Sequence, residues 1–365
     1  YIETDVQITS DGIPYIFHDE DLSRIVGEKK NFNELSSQEV DELIIFSDQK
    51  IPTLRSVLQS LPTTLFQIDV KTDDVALPAL KVIEECNALN RVCIASFSSQ
   101  RLEVVRNLYP NICISMGPKE IIKASHQVEL YDEELNCEPY KRIGIKTLKP
   151  FKIDKNINKA LKKMSEVNKE ILNKKLFPMT FGGEHSITPG CIKPFVNKYK
   201  KICLLHFDAH ADLRDSYNGE KFSHASAIRR CLDHKNVSII SFGIRNISQS
   251  EIPFLRKNKS RVNIFWAKDK AKWNLQKFKK LIKNKVVYLT FDVDGLDSSI
   301  MPATGTPEPG GLLWDETLNI IKIAAKNSNI VGADINELSP IKGFNSYNFL
   351  VAKLAYKILS YKYLY

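Results

Sequence analysis

The 365-residue sequence has no apolar run long enough to cross a bilayer and no visible secretory signal. It does not begin with methionine, and its first residues already have the pattern of a strand inside a domain, so we expect a missing upstream piece. Seven cysteines are an odd number and form no C-x-x-C pair, which excludes an evenly paired disulfide framework. We therefore expect a cytoplasmic protein with reduced thiols and no membrane partner.

The chain also lacks a glycine-, serine- or proline-rich linker, yet its charge is divided unevenly. Residues 1–123 carry 12 Lys and Arg against 19 Asp and Glu, a net charge of −7, whereas the rest carries +16. The lysines of the basic part are scattered over helical faces such as Asn156–Lys175 and Lys268–Lys285, so we expect a solvated surface and no nucleic-acid partner. We predict two parts, residues 1–120 and 121–365, with the change near Met116–Ala124.

The first part alternates strand and helix patterns. An Asp-Gly turn at residues 11–12 separates the first two strands, and helical stretches lie between the later ones. The predicted strands are Ile2–Ile8, Tyr15–Phe17, Leu65–Val70 and Arg91–Phe97, and the predicted helices are Leu54–Leu61 and Val75–Asn87. This order indicates a β/α arrangement.

Residues 2–24, I-E-T-D-V-Q-I-T-S-D-G-I-P-Y-I-F-H-D-E-D-L-S-R, resemble the glycerophosphodiester phosphodiesterase family, whose fold is a TIM barrel. The resemblance implies two ligands of a divalent cation, a catalytic histidine and two further pocket groups: Glu3, Asp5, His18, Asp69 and Lys71. The family's His-Arg motif would lie upstream of residue 1, and no later barrel strands follow residue 120. We therefore expect an incomplete barrel segment with a vestigial site, in which neither a bound cation nor catalysis is expected.

The second part contains six short apolar runs rich in β-branched residues, with helical patterns such as Asn158–Leu172 and Trp314–Ala325 between them. The runs are Leu176–Phe181, Ile202–Phe207, Val237–Phe242, Val262–Phe265, Val286–Phe291 and Ile330–Ile335. Continuous short apolar runs are typical of parallel strands buried on both faces. The pattern predicts an open, mainly parallel α/β sheet with helices on both sides.

Four of these strands are followed at once by side chains that bind metals or substrates. In chain order these are His185, then Asp208, His210 and Asp212, then Asp292 and Asp294, and last Glu337. Because the carboxyl ends of parallel strands meet at one edge of a sheet, we expect these groups to lie together. Two His and four Asp offer too many oxygens for a structural zinc site and suit two Mn²⁺ ions bridged by carboxylates. A single structural ion or Mg²⁺ is the less favoured alternative.

Six motifs in this order resemble the ureohydrolase (arginase/agmatinase) family, closest to its agmatinase members. They are F-G-G-E-H-S (181–186), D-A-H-A-D (208–212), F-S-H-A-S (222–226), F-D-V-D-G-L-D (291–297), A-T-G-T-P-E-P-G-G (303–311) and D-I-N-E-L-S-P (334–340). The resemblance runs from about Gly117 to the end. It implies a three-layer α/β/α sandwich with a mainly parallel sheet and a binuclear manganese centre. The implied reaction is hydrolysis of a guanidinium group, that of agmatine first, to urea and an amine.

The resemblance also implies a role for each site residue. One ion takes His185, Asp208, Asp212 and Asp292, and the other takes Asp208, His210, Asp292 and Asp294. Glu337 grips the planar guanidinium, Asp212 carries a proton to the departing amine, and His224 shuttles protons at the rim. Thr306 adds a hydroxyl.

The loop Leu213–Lys221 resembles the agmatinase form of the rim, where Asp215 or Glu220 would meet a terminal ammonium. Arg214 keeps arginine and guanidinobutyrate open as substrates. We expect Glu308 to be part of a structural turn and His206 to be a satisfied buried histidine. A homo-oligomer is expected.

Alternatives to a ureohydrolase are a fused, non-catalytic metal binder and a phosphodiesterase that uses the first part. The ureohydrolase family normally begins with a further strand that belongs inside its sheet, and in this chain the first part takes that place. An unfilled place would leave backbone groups unpaired. We hypothesise that Arg91–Phe97 fills it.

Overall fold

The structure is a computed structural model that describes residues 2–46, 48–95, 104–105, 108–109, 113–114, 117–149, 151, 153–154, 156–217, 219–341 and 343–365. It divides into two compact units, Tyr1–Ser115 and Met116–Tyr365. Each unit has its own sheet, and no described strand is shared between the two sheets.

In the first unit, the described residues form a mixed five-stranded sheet in the order β2-β1-β3-β4-β5. Its strands are β1 (Ile2–Ile8), β2 (Pro14–Ile16), β3 (Phe66–Val70), β4 (Val92–Ala95) and β5 (Cys113–Ile114), and its helices are α1 (Ser37–Glu42), α2 (Leu54–Ser60) and α3 (Ala76–Glu85). Only β2 is antiparallel to its neighbour. The unit is therefore an incomplete β/α segment.

The strand predicted at Arg91–Phe97 is β4, and residues 96–97 lie outside the described part of the chain. It pairs with β3 on one side and β5 on the other, so the hypothesis that it fills a place in the second sheet is wrong. The reason is its register, which sets Ile94 beside Ile68 and buries both in the first unit. A strand paired on both edges has no backbone groups left for another sheet.

In the second unit, the described residues form a six-stranded sheet, entirely parallel, in the order β6-β11-β10-β7-β8-β9. Its strands are β6 (Met179–Phe181), β7 (Ile202–Phe207), β8 (Val237–Phe242), β9 (Val262–Phe265), β10 (Val286–Asp292) and β11 (Asn329–Asn336). β6 is shorter than the predicted run Leu176–Phe181. Pro178 has no N–H for the ladder, and Lys175 has a left-handed φ of 58° at the end of the preceding helix.

Helices cover both faces of this sheet. They are α4 (Gly117–Ser125), α5 (Pro139–Ile143), α6 (Ile157–Asn173), α7 (Thr188–Lys198), α8 (Ala227–Leu232), α9 (Ile252–Lys257), α10 (Leu275–Ile282), α11 (Trp314–Asn327) and α12 (Asn345–Leu364). Alternate residues of β7 point into different cores, because Leu205 packs with residues of α10 to α12 and Leu204 with residues of α6 to α8. The unit is a three-layer α/β/α sandwich, as the sequence predicts.

The six cysteines whose side chains the structure describes are reduced thiols, and four of them are buried: Cys93, Cys191, Cys203 and Cys231. Burial raises the pKa of the Cys191, Cys203 and Cys231 thiols, which keeps them protonated and unreactive. Among the described residues, no helix combines the length and the apolar character that a membrane crossing requires.

Candidate active site and metal centre

The register of the sheet aligns the ends of four neighbouring strands. Phe181 lies beside Ile335, Ile335 beside Phe291, and Phe291 beside Phe207. The residues that follow these four positions therefore leave the sheet at one edge. This edge carries every group that the sequence places at a strand end, from His185 to Glu337. Parallel pairing thus brings together residues that are far apart in the chain.

His185 is fully buried among three carboxylates. Its Nδ1 atom lies 3.2 Å from Asp208 Oδ2, 3.1 Å from Asp212 Oδ2 and 3.4 Å from Asp292 Oδ2. These are the four residues that the sequence analysis assigns to the first metal ion, and the fold gathers all of them around one point.

The hydrogen bond of the other ring nitrogen, Nε2, determines which nitrogen of His185 bears a proton. Nε2 lies 2.9 Å from the Thr290 hydroxyl, which donates its own proton to Asp334 Oδ1 at 2.5 Å. Because the hydroxyl proton is used in this way, Nε2–H donates to Thr290, and in the neutral imidazole Nδ1 holds a lone pair. Nδ1 is buried without a hydrogen-bond partner. A histidine nitrogen beside three carboxylates is a set of ligand atoms that binds a metal cation. The residues present therefore fit a metal ion.

A second cluster adjoins the first through Asp208. One ligand atom from each of Asp208, His210 and Asp294 lies within 4.8 Å of the others. His210 Nδ1 is 2.9 Å from Asp294 Oδ2 and 3.6 Å from Asp208 Oδ1. Asp208 thus belongs to both clusters, as a carboxylate that bridges two ions would.

The pKa shifts of the carboxylates around His185 indicate a cation site. Burial, together with the charges of Asp294 and Asp208, raises the pKa of Asp292 well above its ordinary value. Burial and the charge of Asp208 raise the pKa of Asp212 as well. Burial alone would also raise the pKa of Asp208, but hydrogen bonds to histidines, His185 first, lower it well below its ordinary value. A bound cation removes the repulsion between these carboxylates.

Two of the predicted site residues have a left-handed backbone. Asp212 has φ 51° and Glu337 has φ 65°. Residues other than glycine adopt this left-handed backbone region at a cost of about 1–3 kcal/mol each. The backbone carbonyl of Asp212 accepts from Arg229 N, and Glu337 N donates to Gly183 O at 2.7 Å. These bonds hold both residues in a conformation that aims their side chains at the site.

Glu337, Glu184 and His224 form the part of the site nearest the rim. Glu337 Oε1 accepts from the backbone N–H of His185 at 2.6 Å, and Glu184 Oε1 lies 2.9 Å from His224 Nδ1. Burial, reinforced by the charge of Glu184, raises the pKa of Glu337 to about 8. A cationic substrate would lower that pKa again, because it stabilises the ionised carboxylate.

His206 was expected to be a satisfied buried histidine, and its contacts have that character. It is fully buried, with Nε2 2.8 Å from Asp208 Oδ2 and Nδ1 3.0 Å from the Ser241 hydroxyl. Although His206 lies close enough to His185 and Asp208 to join a metal cluster, both of its nitrogens are engaged. It therefore orients Asp208.

In the rim loop, Asp215, which was expected to meet a substrate ammonium, pairs with two arginines of the protein. Asp215 Oδ1 accepts from Arg230 at 2.8 Å and forms an ion pair with Arg229 at 3.3 Å, which favours a role in anchoring the loop. Glu220 is exposed and its backbone pairs with Tyr217, while Asn218 between them lies outside the described residues. Binding of a substrate ammonium by Asp215 or Glu220 stays a prediction.

The loop 303–311 reaches the second cluster. The Thr306 hydroxyl donates to Asp294 Oδ2 at 3.2 Å, and Glu308 Oε1 accepts from the Asn246 side chain at 2.8 Å. Arg245 holds the loop, since its guanidinium donates to the carbonyls of Glu308 and Pro309 and also to those of Gly243, Asp294 and Leu296. The expected structural turn at Glu308 is thus tied to the loops that carry the ligands.

In the first unit, three of the residues implied by the phosphodiesterase resemblance lie together. Lys71 Nζ is 2.8 Å from both Asp5 Oδ1 and Asp69 Oδ2, and the two carboxylates raise the pKa of Lys71 against the effect of burial. His18 Nδ1 contacts the neighbouring Asp19 at 2.7 Å. The side chain of Glu3 lies outside the described part. Lys71 thus supplies the positive charge between Asp5 and Asp69.

Sequence reasoning did not assign three residues that the geometry makes important: Glu184, Thr290 and Asp334. Asp334 offered a signal, since a carboxylate inside the apolar strand β11 requires buried partners. Thr290 and Glu184 gave none, because their partners His185 and His224 are brought to them by strand register and loop packing.

Two family models match the chain. The sequence model of the Arginase family matches residues 113–360, and the chain belongs to that family. The model of the Glycerophosphoryl diester phosphodiesterase family matches residues 1–116. The second unit is accordingly a ureohydrolase-type domain, preceded by the incomplete barrel segment that the sequence predicts.

Individual relatives match about two thirds of the chain. An N(1)-aminopropylagmatine ureohydrolase of Synechocystis sp. is 34% identical over 67% of this chain and 82% of its own. An agmatinase of Bacillus anthracis is 35% identical over 62% of this chain and 77% of its own. The crystal structure of the agmatine ureohydrolase of Thermoplasma volcanium has a TM-score of 0.61 and 29% identity, covering 68% of this chain and 83% of that one.

Proposed function

We propose that the second unit is a binuclear manganese hydrolase that cleaves the guanidinium group of agmatine to putrescine and urea. The observation that supports it most is that His185 Nδ1 is buried without a hydrogen-bond partner beside Asp208, Asp212 and Asp292. The second cluster, Asp208 with His210 and Asp294, would hold the other ion. Two divalent ions bound there would supply a hydroxide nucleophile near neutral pH and electrostatic stabilisation of developing negative charge.

The chain's own residues would bind and orient the substrate. Glu337 offers a carboxylate beside the metal cluster, and a planar guanidinium forms two parallel hydrogen bonds with such a group. The backbone N–H of His185 holds one oxygen of Glu337, which limits the directions from which the guanidinium can approach. Asp212, close to His185, is placed to pass a proton to the departing amine, and His224 to exchange protons at the rim.

The choice of agmatine depends on the rim and on relatives of that specificity. The acidic side chain of Glu220 in the rim loop would suit an amine tail, whereas Arg214, whose guanidinium lies 5.0 Å from the centre of the Tyr217 ring, would suit a carboxylate tail. The relatives include an agmatinase and an aminopropylagmatine ureohydrolase, whose names both imply an amine-tailed guanidine. Arginase and guanidinobutyrase activity are the alternatives within the family.

Urea release measures the proposal directly. Purified full-length protein with Mn²⁺ is given agmatine, N1-aminopropylagmatine, arginine and 4-guanidinobutyrate in parallel. We expect the highest kcat/KM with agmatine. We expect Glu337→Gln to lose about 2–5 kcal/mol of transition-state binding, which is at least about 30-fold in kcat/KM. Urea from none of the four compounds would contradict the proposal, and a higher kcat/KM with another compound would overturn the choice of substrate.

Two rival functions have their own readouts. Binding of Mn²⁺ in fixed stoichiometry without turnover would favour a non-catalytic metal binder. Hydrolysis of glycerophosphodiesters would favour a phosphodiesterase that uses the first unit, where Lys71 forms ion pairs with Asp5 and Asp69. We also propose a cytoplasmic location, with reduced cysteines, and a homo-oligomeric state, which size-exclusion chromatography with light scattering would measure.

A further inference from the structure

Glu184 is a half-buried carboxylate at the metal edge that has no part in the metal clusters or in the proposed substrate binding. Its Oε1 lies 2.9 Å from His224 Nδ1, and its Oε2 accepts from the hydroxyl of Ser186. Both of its oxygens are therefore engaged, and the direction of the carboxylate is fixed. The ring of His224 is further held by the edge-to-face contact of Tyr217, with ring centroids 5.5 Å apart.

We propose that Glu184 is the positioning residue of His224: its carboxylate binds Nδ1–H and so assigns proton exchange with the substrate to Nε2. This inference rests on the proposed function, in which His224 shuttles protons at the rim. A histidine whose Nδ1–H donates to a carboxylate keeps one tautomer and one ring orientation when it is neutral. Without that carboxylate, the hydrogen bond that selects the Nδ1–H tautomer would be lost.

The charged groups around His224 support this assignment. Glu184 faces it from the loop after β6, Glu337 from the loop after β11 and Asp212 from the loop after β7. Burial alone would lower the pKa of His224, but the hydrogen bond and charge of Glu184, followed by the charges of Glu337 and Asp212, raise it to about 9. The imidazolium form is therefore present through neutral pH, and it is lost as the pH rises through about 9.

The pH profile of kcat distinguishes positioning from simple support of the fold. In the wild type we expect kcat for agmatine to fall at alkaline pH, where the imidazolium form of His224 is lost. In Glu184→Gln the carboxylate is absent, so we expect this fall at least about one pH unit lower, with little change in KM. The matched control is Glu170→Gln, the same change at an exposed glutamate of α6, which we expect to follow the wild type. A uniform loss of kcat with no displacement of the profile would overturn the proposal.

Chemical labelling tests the same inference without turnover. Diethyl pyrocarbonate reacts with neutral imidazole, and each unit by which the pKa of a histidine falls gives tenfold more neutral imidazole at pH 7. We expect the peptide containing His224 to be modified at least about tenfold faster in Glu184→Gln than in the wild type, normalised to the exposed His126. An unchanged rate would overturn the proposal. Because labelling does not need urea release, this result is separate from success or failure of the proposed function.

A second variant covers the case in which Glu184→Gln does not fold. Ser186→Ala frees one oxygen of Glu184 but keeps its charge, so we expect a smaller displacement of the pH profile in the same direction. Bound manganese is measured in every variant, since Glu184 precedes His185 in the chain. Equal manganese content is expected, and a loss of metal that accounts for the whole loss of activity would overturn the proposal.

Discussion

At the scale of single residues, the hydroxyl of Thr290 determines which ring nitrogen of His185 can bind a metal ion. Thr290 donates to Asp334 and accepts from His185 Nε2–H, which leaves the lone pair of Nδ1 facing the carboxylates. Motif spacing identifies the ligands in the sequence because they follow strand ends directly. It does not identify Thr290, whose side chain meets His185 only after β6 and β10 are placed in the same sheet.

Removing the Thr290 hydroxyl tests this dependence. We expect Thr290→Val to weaken manganese binding about 10–100-fold, because the His185 ring loses the acceptor that fixes its tautomer. Isothermal titration of Mn²⁺ into metal-free protein measures the change. Thr290→Ser keeps the hydroxyl and is expected to bind as the wild type does. Equal weakening in both variants would assign the effect to packing of the methyl group.

At the scale of elements, the ligand loops approach so closely that one of them requires glycine. A Cβ at Gly295 would lie 2.7 Å from the backbone nitrogen of Asp208, so the loop after β10 can pack on the end of β7 only without a side chain there. The sequence indicates a sharp turn at this position. It does not show which backbone lies beneath it, because that depends on the parallel pairing of β7 and β10.

Gly295→Ala is therefore expected to separate Asp208 from Asp294. We expect about 1–3 kcal/mol of lost stability from the forced shift, together with weaker manganese binding. Urea denaturation and metal titration measure the two effects. Gly183→Ala is the matched control, since a Cβ at that position meets no atom within 4 Å. Wild-type metal affinity in Gly295→Ala would show that the loops can adjust at no cost.

A second element-scale contact joins α11 and α12 through Glu134, which accepts from Tyr361, Tyr365 and Lys322. Burial raises the pKa of Glu134, but these hydrogen bonds outweigh it and lower the pKa from its ordinary value of 4.5 to about 2. A lowered pKa means that the folded state favours the carboxylate. Its stabilising contribution is therefore complete above about pH 4.5 and is lost as the pH falls towards 2.

Glu134→Gln is expected to cost about 1–2 kcal/mol at pH 7, in line with the loss of hydrogen bonds to a charged acceptor. The difference from the wild type should shrink as the pH falls from 4.5 towards 2, because protonation removes the charge from the wild-type side chain as well. Urea denaturation at pH 7 and at acid pH measures it. A difference that is independent of pH would assign the effect to shape rather than to charge.

At the scale of the whole molecule, the sequence predicted two parts, and the structure has one sheet in each of two units. Apolar runs and the motifs after them were enough to predict six parallel strands, since buried strands of this kind have a distinctive composition. The position of β4 was predicted wrongly, because a short apolar run does not indicate which sheet it will join. Its partners are settled by register, which the sequence of a single strand does not contain.

Heat denaturation of the full chain is expected to show two transitions, one for each unit. Manganese at 100 times its dissociation constant should stabilise the second unit by about 2.7 kcal/mol per independent site, since it binds the folded state only. We expect the transition of the first unit to stay in place, because Asp5 and Asp69 already form ion pairs with Lys71 there. Differential scanning calorimetry with and without Mn²⁺ measures both transitions. An equal rise in both would show that the first unit also binds the metal.

The strand order of the second sheet has a consequence for synthesis on the ribosome. β6 and β7, the first two strands of this sheet to be made, are separated in it by β10 and β11, which are the last two. A nascent chain that already displays His185 and Asp208 therefore lacks the strands that hold these residues in register until β10 and β11 have been made. The proposed ion-binding pocket would be complete only after β11 has left the ribosome, so a bound metal cannot guide the earlier folding of β6 and β7.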